Sequence, residues 1–252
     1  MAVEPRTLRL AVLIDADNAS PRIASALFEE IAKLGDASVR RIYGDFSSTR
    51  LKGWADILSR HAIIPQQNYA YTSGKNASDI ALVIDAMDLL HRGWFDGFCL
   101  VSSDSDFTRL ASRIREQVQV YGFGEQKTPE SFRQACHRFF YTENLLPEAP
   151  TPSQPDKPDE RPEALTRNPA MAVPLLRAAF AQLEEGGNWV SLGGLGSRLL
   201  ALYPDFDPRT FGKAKLSDLV EKTGAFDISR EQQQVMVRVK AAAPAKAKKP
   251  KV

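Results

Sequence analysis

Short runs of apolar, largely β-branched residues recur along the first part of the chain: "LRLAVLI", "SVRRIY", "AIIPQ", "FCLV" and "VQVYGF". The runs are continuous rather than alternating, which fits strands buried on both faces. Between them the apolar period changes to that of a helix. Ser20 followed by Pro21 gives an N-cap with proline at the first helical position, and Ile23, Leu27, Ile31 and Leu34 follow at helical spacing. Further helices are predicted at "DIALVIDAMDLLH", capped by Ser78, at "FTRLASRIRE", and at "ESFRQACHRFF" after Thr128–Pro129. Strands that alternate with helices predict an α/β fold, a Rossmann-like parallel sheet covered on both faces.

The pattern breaks after residue 146. "PEAPTPSQPDKPDERPEALTRN" holds six prolines and almost no large apolar residue, the composition of a linker. Helical periodicity returns in "MAVPLLRAAFAQL", and the chain closes with a "QVMVRV" strand that predicts a hairpin. The expected organisation is a first domain over 1–146, a linker over 147–167, a small α+β domain over 168–240 and a tail over 241–252. In that second domain Trp189, Leu195, Leu199, Tyr203, Phe206, Phe211, Leu216 and Leu219 read as core.

Composition narrows the class. The chain has 252 residues, 43% hydrophobic and 25% charged, enough apolar content for a sizeable core. A net charge of +2 conceals a basic end, "VKAAAPAKAKKPKV", which reads as a solvated tail or as a phosphate-binding arm. The two cysteines, Cys99 and Cys136, do not make a disulfide framework or a zinc site of thiolates. No stretch of roughly 18 apolar residues appears, and the N-terminus lacks a signal-peptide core. A reduced, cytoplasmic setting is therefore expected, with no membrane partner.

Two strands end in paired acids. "LIDADN" places Asp15 and Asp17 after the first run, and "LVSSDSDF" places Asp104 and Asp106 after the fourth. Ligands bind outside the carboxyl ends of strands in such sheets, so both pairs project from one edge. They converge if their strands are neighbours. Asp79, at the start of a helix, belongs to the same edge. Each Asp alone also reads as a turn former or cap, Asp17 above all, beside Asn18 and Ser20. Within the helix, Asp88 reads as solvated and Asp85 stays open. A cluster of three to five carboxylates is unfavourable unless something neutralises it. Mg²⁺ or Mn²⁺, hard cations that take oxygen ligands, would do so and would offset charge developing on a phosphodiester. Asn18 is either a loop residue or the group that orients a carboxylate. His61, His91 and His137 are scattered, against a His-rich zinc site.

With these residues in view the chain resembles a known family. "LIDADN", "KNASDIALVIDAM" and "LVSSDSDFTRL", in this order, are similar to the NYN domain of the PIN-like nuclease superfamily, its LabA-like group, over roughly residues 8–143. The resemblance implies a metal-dependent endoribonuclease using Mg²⁺ or Mn²⁺. It implies that Asp15, Asp79, Asp104 and Asp106 bind metal, with Asn18 the motif asparagine. Lys75, in "GKNASD", stands where the family often has a basic residue that could hold RNA phosphate. Asp17 falls where the family varies. "WVSLGGLGSRLLALYPDFDPRTFGKAKLSDLVEKTGAFDI" resembles the LOTUS or OST-HTH domain, a winged-helix-like module associated with RNA. Arg209, Lys213 and Lys215 precede its recognition-type helix and are expected to meet phosphates.

The main expectation is a ribonuclease with a C-terminal RNA-binding module. One alternative is a non-catalytic RNA-binding or regulatory adapter on the same fold, with the second domain docking protein instead. Another is a haloacid-dehalogenase-like phosphatase built on the Asp15-x-Asp17 pair, which leaves Asp79 without a role. Substrate RNA is not legible, and self-association as a homo-oligomer is left open.

Overall fold

The computed structural model describes residues 6–68, 77–146, 166–183, 189–231 and 234–240. Lys75, most of the Pro-rich linker and the basic tail lie outside them. The chain divides into two compact units, Met1–Glu163 with Tyr203–Phe206, and Ala164–Leu202 with Asp207–Val252.

The first unit is built on six strands: β1 (Arg9–Asp15), β2 (Asp36–Gly44), β3 (Ile64–Gln67), β4 (Gly97–Val101), β5 (Gln119–Gly124) and β6 (Arg138–Tyr141). Their order is β3-β2-β1-β4-β5-β6 and every pairing is parallel. The expected Rossmann-like sheet is therefore present. Its order reverses between β1 and β4, which is where such sheets bind ligands. The helices are α1 (Ala24–Ala32), the short α2 (Lys52–Ala55), α3 (Ala77–His91), α4 (Thr108–Arg115) and α5 (Glu130–Ala135).

Continuous apolar strands feed two cores at once. Along β1, Ala11 and Leu13 join the cluster under α3, α4 and α5. Leu10, Val12 and Ile14 join the opposite cluster with α1 and Trp54. All five are fully buried. The period-two alternation that a one-sided strand would show is absent because both faces are covered.

Two expectations about elements need correction. "ESFRQACHRFF" is not one helix: α5 stops at Ala135, Cys136 turns extended, and Arg138–Tyr141 becomes β6. Phe132, Ala135, Cys136 and Phe139 sit at helical spacing and are all buried, so periodicity alone could not separate the two states. Pairing with β5 decides it. Phe140 stacks on Phe123 with ring centroids 4.8 Å apart. Phe139 and Cys136 approach Gly122 so closely that a Cβ there would lie 2.5 Å from one and 2.7 Å from the other. Ser78 is not the cap of α3, because the helix already includes Ala77.

The second unit contains α6 (Val173–Ala181), α7 (Leu192–Leu202), α8 (Leu216–Thr223) and the strands β7 (Val190–Ser191), β8 (Phe226–Glu231) and β9 (Gln234–Val239). The strands form an antiparallel sheet in the order β7-β9-β8, with the expected β8–β9 hairpin. Leu195, Leu199, Phe211 and Leu219 are buried as expected and Leu216 is half-buried, whereas Phe206, buried, and Tyr203, half-buried, fall in the segment that belongs to the first unit. Trp189 is not core: it is 37% exposed, with the Arg238 guanidinium 4.8 Å above its ring. Among the described residues no helix is long and apolar enough to cross a membrane.

Candidate active site

Register explains why the two acid pairs meet. Ile14 of β1 lies beside Val101 of β4. Asp15 and Ser102, the next residue on each strand, therefore emerge side by side at the switch point. Asp15 is 1% exposed. A buried carboxylate needs donors, and four are supplied. Its Oδ1 accepts the Asp17 and Asn18 backbone N–H groups at 3.1 and 3.3 Å. Its Oδ2 accepts Asn18 Nδ2 at 2.9 Å and Ser102 Oγ at 2.6 Å. Burial pushes the Asp15 carboxyl above its usual range, and these hydrogen bonds pull the other way. Asn18 thus orients a carboxylate.

Ser102 couples the strands. Its buried hydroxyl donates to Asp15 and accepts the Asp104 backbone N–H at 3.0 Å. Asp104 Oδ1 then accepts the Asp106 N–H at 2.9 Å and caps the 3₁₀ turn Ser105–Phe107. Asp104 is therefore both the cap that its position suggested and a site acid: its Oδ2 accepts no hydrogen bond among the described residues. Asp106 is exposed on the first turn of the same segment.

Asp79 enters from the first turn of α3, half-buried. Among the described residues nothing donates a hydrogen bond to it. Its carboxyl is pushed up to about 6, first by desolvation and then by the charges of Asp15, Asp104, Asp17 and Asp106. Five acids named from sequence therefore act on one another across one sheet edge. Asp17 is more than a turn residue: its carboxylate takes the Arg50 guanidinium, and Ser78 Oγ lies 3.5 Å from it.

The donor set is all hard oxygen. Among the described residues no three His, Cys, Asp or Glu side chains are gathered as a ready-made metal cage. Oxygen donors of this kind are the ones hard divalent cations take, whereas zinc favours nitrogen and sulfur. The scattered histidines stay away: His61 stacks on Phe28 and His137 Nδ1 accepts the Val120 N–H. Cys99 and Cys136 are buried free thiols, and burial pushes Cys136 up to about 12, far from the reactive thiolate range.

Asp85, left open from sequence, belongs to the scaffold. It bonds both Arg41 and Tyr43 on β2 and so fixes α3 against the sheet. Tyr43 is the register partner of Asp15. Sequence reasoning passes over Arg50 and over the role of Ser102 as a donor to Asp15. "LVSSDSD" contains the signal for Ser102, a serine two residues before a strand-end acid, where a hydroxyl can bond the acid's own N–H.

In the second unit Arg209 sits in the 3₁₀ turn Pro208–Phe211, with its guanidinium held on Asp207 by Nε contacts of 3.1 and 2.9 Å. Gly212 follows at φ 69°, a left-handed conformation that glycine accepts without strain. It turns the chain so that Lys213 and Lys215 lead into α8. Among the described residues no carboxylate pairs with either lysine.

Removal of the Ser102 hydroxyl should show the coupling. Ser102→Ala leaves Asp15 short of a donor and the Asp104 N–H without its acceptor. The expected loss is about 1–3 kcal/mol in urea unfolding. An unchanged urea midpoint would show that neither hydrogen bond of the hydroxyl supports the fold.

Comparison with known proteins finds two domain families along the chain. The family model of the NYN domain matches residues 9–145. That of the OST-HTH/LOTUS domain matches residues 155–237. No curated protein matches. Among solved structures, a protein of unknown function, VPA0982 from Vibrio parahaemolyticus RIMD 2210633, is 17% identical. The match covers 55% of this chain and 94% of that one, with a TM-score of 0.46. The solution structure of an uncharacterized protein from locus NE0665 of Nitrosomonas europaea is 30% identical. It covers 38% of this chain and 95% of its own, with a TM-score of 0.27. The first match spans more than half of the chain and holds every acid of the switch-point cluster: the protein belongs to the NYN domain family, with an OST-HTH/LOTUS domain behind it.

Proposed function

We propose that the protein is an endoribonuclease, a hydrolase that cuts RNA phosphodiesters with Mg²⁺ or Mn²⁺ at the carboxyl edge of β1 and β4. The observation that carries this is the gathering of Asp15, Asp17, Asp79, Asp104 and Asp106 at one sheet edge, where burial first and then the charges of the other four raise the Asp79 carboxyl. Asp15, Asp79, Asp104 and Asp106 would hold the cation. Once bound, it would supply the positive charge that offsets charge building on the phosphodiester. Asn18 and Ser102 favour the charged form of Asp15 against the effect of its burial and keep the carboxylate aimed. Lys213 and Lys215, exposed or half-exposed before α8, would draw RNA to the second unit; Arg209, held by Asp207, would lend charge from a fixed position. Lys75 and the basic tail would add phosphate contacts. A cytoplasmic setting belongs to this reading.

The test is incubation of the purified chain with a pool of labelled structured and unstructured RNAs in Mg²⁺, Mn²⁺ or EDTA. Cleavage that depends on the cation is expected. RNA binding without turnover under every cation would favour the adapter.

Cation binding can be read without turnover. With its folded value at about 6 against 3.8 for an ordinary Asp, Asp79 binds its proton more tightly in the native state. Its contribution favours the fold below pH 4 and is lost as pH rises to 6. Above that range its charge is a penalty, about 1 kcal/mol once solvent screening is allowed for. Mg²⁺ or Mn²⁺ should therefore raise the melting temperature of the first unit by about 2–4 °C at pH 7.5 and hardly at pH 4. Asp79→Asn should melt higher than wild type without metal and gain less from it. Equal metal shifts in both proteins would remove Asp79 from the ligand set.

A further inference from the structure

We propose that Arg50 is the residue that grips the substrate's phosphate backbone at the acidic edge, carried there by Asp17; this rests on the ribonuclease reading. A site that holds only carboxylates repels a polyanion, so some fixed cation must sit at its rim. Arg50 forms an ion pair with a site acid, its Nη2 2.5 Å from Asp17 Oδ1.

The pair is not a loose surface contact. Arg50 lies in the 3₁₀ turn Thr49–Leu51, which Ser48 caps by accepting the Arg50 N–H at 3.2 Å. The next residue, Leu51, is buried, and a Cβ on Gly44 would lie 2.5 Å from its Cδ1. Three residues further on, Trp54 is 1% exposed and donates its Nε1–H to the Ala19 carbonyl at 2.9 Å. The turn is thus moored to the loop that carries Asp15, Asp17 and Asn18. Its backbone is held by these contacts while the Arg50 side chain stays 75% exposed. One edge of the guanidinium rests on Asp17, and its planar fork still turns N–H donors to solvent. A fork of that kind matches two phosphate oxygens. An exposed ion pair adds little to stability, so a fixed arginine above acids is better accounted for by what it meets than by what it holds together.

The experiment titrates a labelled 12-nucleotide single-stranded RNA with the full chain, followed by anisotropy. Ca²⁺ is present to neutralise the acids, and KCl is varied from about 50 to 200 mM. Arg50→Ala should weaken binding about tenfold, one charge-assisted contact, and reduce the slope of log K against log salt by about 0.7. Arg50→Lys should keep the slope and recover part of the affinity. Lys52→Ala, an exposed cation two residues on, should change neither. With Mn²⁺, Arg50→Ala should raise KM for cleavage and leave kcat within about twofold. An unchanged slope in Arg50→Ala, or an equal loss in Lys52→Ala, overturns the assignment while the nuclease reading stands. If wild type does not bind RNA at all, both fall.

Discussion

Asp104→Asn should lower RNA cleavage by at least about 10²–10³-fold, the scale on which loss of one charge-stabilising group acts at a reacting centre. It should leave folding and RNA affinity nearly intact. The substitution is chosen for what it preserves. Asn has the same shape as Asp and caps as well, so the Asp106 N–H keeps its 2.9 Å acceptor and the turn Ser105–Phe107 keeps its start. The Asp104 N–H still reaches Ser102 Oγ. What disappears is a negative charge, one of the four that raise Asp79. The native state loses repulsion, so the melting temperature in EDTA should hold or rise. A variant that folds, binds RNA and does not cut would tie "LVSSDSDF" to catalysis. Wild-type cleavage by the same variant would sink the proposed chemistry.

The strand-end acids were legible in the sequence because position in a parallel sheet is nearly enough to place them. Asp15 and Asp104 follow buried strands, and only the adjacency of β1 and β4 had to be learned from the fold. Local chemistry also gave Ser20 as a cap and "QVMVRV" as a strand, each set by neighbours in the chain. What could not be read depends on partners far away. "RFFY" satisfies a helical period and a strand equally, and Gly122 and Phe123, some seventeen residues earlier, choose between them. Trp189 reads as core by its size, yet Arg238 across the sheet covers it. Arg50 and Asp17 are 33 residues apart. Asp85 could be settled only once Arg41 and Tyr43 were seen beneath α3. Acids at element ends are legible by position, as is Asn18 beside Asp15; a partner distant in the chain, such as Arg50, is not.

Trp54→Ala should be the most destabilising single change in the first unit's periphery, about 3–5 kcal/mol in urea unfolding. The indole is buried within the cluster beneath α1, and its N–H donates to the Ala19 backbone carbonyl at 2.9 Å. The loss has two parts, and a second variant separates them. Trp54→Phe keeps most of the ring and abandons the hydrogen bond, so it should cost only about 1–3 kcal/mol. Its effect on cleavage should be larger than that number implies. The Ala19 carbonyl adjoins Asn18, whose N–H and side chain both hold Asp15, and Trp54 is what ties this loop to the turn that carries Arg50. Release of that mooring lets the carboxylate and the guanidinium drift relative to each other, and misplacement on the scale of 1 Å can cost about 10²-fold in rate. Trp54→Phe should therefore stay folded at 25 °C by circular dichroism while cleaving about tenfold or more slowly. If cleavage falls only as far as the folded fraction falls, Trp54 stabilises the unit without positioning the site, and the rigidity of the acidic loop must come from Ser102 and the strand register alone.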